Sequence, residues 1–132
     1  MAKLLLDSDI LIYFLNGKAE VIEQFSRYKI DDLVISRINY AELLFGVYNS
    51  SKVAKNINIV LPFLENFKVF EFDQDSAVIF AKEKTRLKKA GTPITDMDLM
   101  IAAIAIANEL TLVTNNIKHF KRIKLLNLEC WV

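Results

Sequence analysis

Near its start the chain runs Leu4-Leu5-Leu6-Asp7-Ser8-Asp9-Ile10-Leu11-Ile12, an apolar, strand-like stretch that turns helical at two carboxylates. Such alternation recurs along the sequence and restricts the fold more than any other feature. Residues 3–6, 32–35, 68–72 and 111–114 read as short strands, with 128–132 a further one. Between them, residues 8–16, 20–28, 36–48, 52–66, 76–89 and 95–110 read as helices. Strands alternating with helices predict an α/β fold, a three-layer α/β/α arrangement around a mostly parallel central sheet. Ser36 is placed to cap one helix, Gly17 to end another, and Pro62 to kink or break a third. The periodicity of 76–89 turns Val78, Ile79, Ala81 and Leu87 inward.

With 132 residues and no Pro/Gly-rich linker or internal repeat, one domain spanning 1–132 is expected. A net charge of +1 argues against broad electrostatic capture of nucleic acid and leaves room for a local basic patch. The single cysteine, Cys130, rules out an intrachain disulfide and an all-cysteine metal site, so a reducing, cytoplasmic setting is expected. Asp7 and Asp9 interrupt what would otherwise resemble a signal peptide. The longest apolar run, 99–107, is far short of the roughly 20 residues that span a bilayer, so no membrane association is expected.

Ligands of open α/β sheets bind at the carboxyl ends of the strands, where Asp7 is delivered. Glu42 lies in an otherwise uncharged stretch between Arg37 and Lys52. It is either the exposed stripe of an amphipathic helix or a carboxylate facing a cleft. Thr95-Asp96-Met97-Asp98 has capping-box spacing, yet the helix beyond is so apolar that its start must open near the same sheet edge. Thr114-Asn115-Asn116 ends another strand in uncharged polar groups, as a turn or as oxygen donors beside a metal. Carboxylates brought together raise one another's pKa unless a cation sits between them. All-oxygen ligation favours Mg²⁺ or Mn²⁺, ions suited to phosphoryl chemistry. Lys118, Lys121 and Arg122 follow the Asn115-Asn116 corner and are either a solvated face or a grip on a phosphate backbone. His119 has no evident partner group.

Four stretches, LLLDSDILIYFL, ISRINYAELLFG, GTPITDMDLMIAAIA and TLVTNNIKHFKRI followed by Trp131, resemble in order and spacing the PIN-domain endoribonucleases, specifically VapC-like toxins of type II toxin–antitoxin pairs. The resemblance implies Asp7 and Asp98 as metal-binding acids and Glu42 as a further acid. Its fourth position, acidic in many PIN domains, falls at Asn116 or Asn115. Ser8, Asp9, Thr114 and Asn115 would be supporting residues, and Asp96 an extra acid at the rim. It further implies metal-dependent hydrolysis of a phosphodiester in structured RNA, leaving a 3′-hydroxyl and a 5′-phosphate. A homodimer is implied, silenced by a small antitoxin with a DNA-binding N-terminus and an inhibitory C-terminal segment. Among rivals, a haloacid-dehalogenase-like phosphatase would use Asp7 as nucleophile and Asp9 as acid. It expects Thr or Val where Leu11 stands, and its later acids follow a strand. A receiver domain lacks a well-placed phosphoacceptor, and a non-catalytic RNA- or protein-binding module is the remaining alternative.

Overall fold

The computed structural model describes residues 3–132. Its strands are β1 (Leu4–Leu6), β2 (Leu33–Ser36), β3 (Lys68–Phe70), β4 (Thr111–Val113) and β5 (Asn127–Glu129). Its helices are α1 (Ser8–Leu15), α2 (Ala19–Ser26), α3 (Arg37–Tyr48), α4 (Val53–Leu64), α5 (Gln74–Lys89), α6 (Asp96–Ala107) and the single turn α7 (Ile117–Phe120). The five strands form one sheet in the order β3-β2-β1-β4-β5, every adjacent pair parallel. Helices cover both faces, as the α/β/α expectation required.

Alternation along β1 splits the core in two. Leu4 and Leu6 face one cluster with Ile10 and Leu11 of α1, Val21 of α2, Leu43 of α3 and Leu64 of α4. Leu5 faces the other, with Leu87 of α5, Leu99 and Ile101 of α6 and Phe120 of α7. Trp131 closes the first cluster, stacked on Tyr28 with ring centroids 5.8 Å apart and edge-on to Phe25. Replacing Trp131 with Ala should therefore cost about 3–5 kcal/mol, read as a lower urea midpoint.

Three helix starts are fixed by side-chain caps, two of them at strand ends. Asp7 caps α1, Ser36 and Asn39 form a reciprocal capping box on α3, and Thr95 caps α6. Gly17 takes φ +79° directly after α1, a conformation that favours glycine.

Several local expectations are corrected. Val78 and Ala81 are exposed; the inward face of α5 is Ser76, Glu83 and Leu87. α4 continues through Pro62 to Leu64, because Pro62 lies in the final turn. There the Asn66 amide donates to the Pro62 and Phe63 carbonyls and satisfies that end. The last strand is Asn127–Glu129, so Trp131 packs from beyond the sheet, and α7 was not anticipated.

Candidate active site

The chain crosses from β1 to β2 on one side, while β4 lies on the other side of β1, so the strand order reverses at β1. Such a switch point opens a crevice at the carboxyl ends of the strands. Asp7, Ser36 and Thr114 stand there, at the ends of β1, β2 and β4, and all three are buried.

Asp7 is held from three directions. Its Oδ1 accepts from the Ser8 amide at 2.8 Å and from the Asn39 side-chain amide at 3.3 Å. Its Oδ2 accepts from the Thr114 hydroxyl at 2.7 Å. The Asn39 amide also donates to Ser8 Oγ at 3.1 Å, and that hydroxyl donates to Glu42 Oε1 at 2.6 Å. A line of hydrogen bonds thus connects α3 to α1 and ties the half-buried Glu42 to Ser8 beside Asp7. Asp9 accepts from the Ile10 and Asn115 backbone amides at 2.7 and 2.9 Å. Asn115 reaches the Tyr13 hydroxyl at 3.3 Å, and the Asn116 amide donates to Thr114 Oγ1 at 3.0 Å.

The electrostatics match this crowding. Burial, with the negative charges of Asp9 and Asp98 adding to it, raises the Asp7 carboxyl to about 7, although the Thr114 and Ser8 hydrogen bonds oppose the rise. Burial likewise raises Asp9 and Glu42, and the charge of Asp98 pushes both in the same direction. None of the ion pairs among the described residues reaches Asp7, Asp9, Glu42 or Asp98. Asp7 at the end of β1, Asp9 and Asp98 in the first turns of α1 and α6, and Glu42 midway along α3 thus act on one another without an ion pair to a cation among the described residues.

A hard divalent ion fits this surplus of oxygen donors. Among the described residues no three acids stand close enough to enclose an ion by themselves.

Other candidate residues are placed elsewhere. Asp96 is exposed and paired with Lys84 of α5, its Oδ1 3.0 Å from Nζ, rather than joined to the other acids. Lys118 and Lys121 are exposed. Arg122 donates to the Pro93 carbonyl at 2.9 Å, so its guanidinium is partly committed within the protein. His119 has a partner after all: its Nδ1 lies 3.1 Å from the Asn116 side-chain amide. Asn39 is the site residue that sequence reasoning missed. Fully buried, it spends its Oδ1 on Ser36 and its NH₂ on Asp7 and Ser8. The signal was the Ser36-x-x-Asn39 spacing, a capping box with Asn in the place usually taken by Glu or Gln.

Clefts flank Glu42 on both sides. One of about 320 Å³ runs between α1, α3 and α4, lined by Ile12, Leu15, Val47 and Ile59 among others. The other, about 630 Å³, is bounded by Ala41, Phe45 and Met97.

Comparison with known proteins gives a consistent picture. The PIN domain model matches residues 4–126. The chain is 30% identical to the tRNA(fMet)-specific endonuclease VapC of Salmonella typhimurium strain LT2 over 131 residues, 99% of each chain. It is 37% identical to ribonuclease VapC2 of Rickettsia felis over 131 residues, 96% of each. Its fold superposes on a chain of the DNA-bound VapBC crystal structure from Salmonella typhimurium with a TM-score of 0.93, at 30% identity and 100% coverage of both.

Proposed function

The chain belongs to the PIN-domain family, among its VapC ribonucleases, and from that premise we propose that it is a Mg²⁺- or Mn²⁺-dependent endoribonuclease toxin of structured RNA. The observation that carries the reading is the Asp7 carboxylate: buried, oriented by Thr114 and Asn39, and raised to about 7 by that burial together with the charges of Asp9 and Asp98, with no ion pair among the described residues to offset it.

In this reading the 1–132 chain is one nuclease unit. Asp7 and Asp98 would hold the ion, Glu42 and Asn116 would complete its surroundings, and Asp96 stays at the rim. When bound, the ion supplies a Lewis acid for the phosphoryl oxygen and lowers the pKa of water for in-line attack. The protein's own part is orientation. Thr114 and Asn39 fix both oxygens of Asp7, so that the carboxylate needs no reorganisation on meeting the ion. Ser8 holds Glu42 toward the crevice, and the Asn115 backbone holds Asp9. Attack of water on phosphorus would form the new P–O bond and break the P–O3′ bond opposite it, leaving a 3′-hydroxyl on one fragment and a 5′-phosphate on the other.

The substrate class is tRNA or rRNA, whose cleavage inhibits translation. The Salmonella relative is named for tRNA(fMet). As partners we propose a second copy of the chain and a small antitoxin with a DNA-binding N-terminus. The antitoxin's C-terminal segment would lie in the apolar clefts beside Glu42 and present a basic side chain to the acids. No helix among the described residues is long and apolar enough to cross a membrane.

The deciding assay is RNA cleavage with Mg²⁺, with a chelator, and with Mg²⁺ restored. The reading expects activity, loss and recovery, and cleavage that persists in chelator would sink it. A second expectation concerns the exposed basic turn. Neutralising Lys118 and Lys121 together should weaken RNA binding and reduce the slope of log affinity against log salt by about 1–2. An unchanged slope removes these residues from the interface.

A further inference from the structure

One cavity near the acids plays no part in holding them. It measures about 330 Å³, lies between the start of α6 and the α7 turn, and is lined by Pro93, Ile94, Thr95, His119 and Arg122. Its walls are pinned from behind. Arg122 donates to the Pro93 carbonyl at 2.9 Å, and its own carbonyl accepts from Arg86 at 3.1 Å. Arg86 is clamped in turn by the buried Glu83, at 2.9 and 3.0 Å. Thr95 Oγ1 is the cap of α6, accepting from the Asp98 amide.

His119 is oriented by the Asn116 side-chain amide, 3.1 Å from Nδ1. Among the described residues no protein group bonds Nε2. A preformed recess bordered by a proline ring, an aliphatic side chain, an imidazole and a tethered guanidinium suits a flat heteroaromatic ring better than a bare phosphate. The positive charges of Lys118 and Lys121 stand exposed on the same short segment, ready for the backbone that such a ring would be attached to.

The position is as informative as the lining. His119 lies three residues beyond Asn116 and Thr95 three residues before Asp98. Three helical residues advance about 4.5 Å, so the cavity is within reach of a nucleotide neighbouring one at the acids. We propose that it accepts one unstacked nucleobase of the RNA substrate beside the bond that is cut. His119 then supplies the ring on which the base stacks. This rests on the endoribonuclease reading above and adds to it a subsite for the base.

Because His119 is the only histidine, its ring protons give an unambiguous NMR reporter. The test titrates the metal-free protein with AMP, GMP, CMP and UMP, and separately with ribose 5-phosphate. The proposal expects a saturable millimolar shift of the His119 ring protons with at least one nucleotide and none with the sugar phosphate. Equal shifts from ribose 5-phosphate, or no shift with any nucleotide, would overturn it. In cleavage assays, His119→Ala should raise KM about tenfold with kcat retained, and His119→Phe should restore most of the loss. A fall in kcat at unchanged KM would mean that His119 acts through Asn116, and the base subsite would be abandoned. If the wild-type protein cleaves no RNA at all, the endoribonuclease reading fails, while the nucleotide titration still decides the cavity.

Discussion

Asp7→Asn should abolish RNA cleavage and at the same time make the metal-free protein more stable near neutral pH and above. Asp7 has its pKa raised from 3.8 to about 7 in the fold. Between those values the folded chain holds a proton that the unfolded chain has released. Stability of the metal-free wild type must therefore fall as pH rises from about 4 to about 7, and stay low above that. The cost at about pH 8 is on the order of 4 kcal/mol, from the size of the shift to about 7. Asparagine removes this charge and keeps an oxygen for the Ser8 and Asn39 amides, but it loses the acceptor for the Thr114 hydroxyl. With about 1 kcal/mol deducted for that bond, the variant should gain about 2–3 kcal/mol at about pH 8. At pH 4, where Asp7 is protonated in the wild-type fold, the gain should vanish. Urea midpoints of both proteins across this range, in chelator, give the answer. A variant that loses activity without the pH-dependent gain would place the carboxylate in a different electrostatic setting.

The second large effect separates two acids only two residues apart. Asp98→Asn should lower cleavage about a thousandfold or more, the several kcal/mol that a metal contributes to the transition state. Asp96→Asn should leave most of the activity. The structure supplies the reason. Asp98 is coupled to Asp7, Asp9 and Glu42, while Asp96 is exposed and occupied with Lys84. The Asp96–Lys84 pair is a surface one, so its loss should cost at most about 1 kcal/mol of stability. Single-turnover cleavage by the two variants decides the matter, and equal losses would show that the helix start presents the other acid.

Strand-end features were the legible part of this sequence, because their chemistry is local. An apolar run closed by an acid and followed by helical spacing specifies both β1 and the cap of α1, and Asp7 performs that cap. Glu42 could be placed on a helix but not given a direction, since its orientation depends on Ser8, 34 residues away. Asn39 was invisible for a similar reason: its neighbours show a cap, whereas its bonds to Asp7 and Ser8 require the β1–β2 pairing. Of the α5 residues expected inward, Leu87 is buried, whereas Val78 and Ala81 are exposed because hydrophobicity alone does not place this face. Glu83 is buried there, its charge held by Arg86, while Val78 is exposed. His119 has no partner legible in the sequence because Asn116 reaches it only after the chain turns into α7. Arg122, grouped with the lysines by charge, also serves the protein itself through the Pro93 carbonyl.

The acids at the end of β1 and the start of α6 form a cation site in this account, and calorimetric titration with Mn²⁺ at about pH 7 tests it most directly. Wild-type protein should bind saturably and release protons, because Asp7, with its pKa near 7, must give up its proton to the ion. Asp7→Asn should abolish both the binding and the proton release. Undiminished binding by that variant, or wild-type protein that binds no Mn²⁺ while cleaving RNA in chelator, would contradict the account.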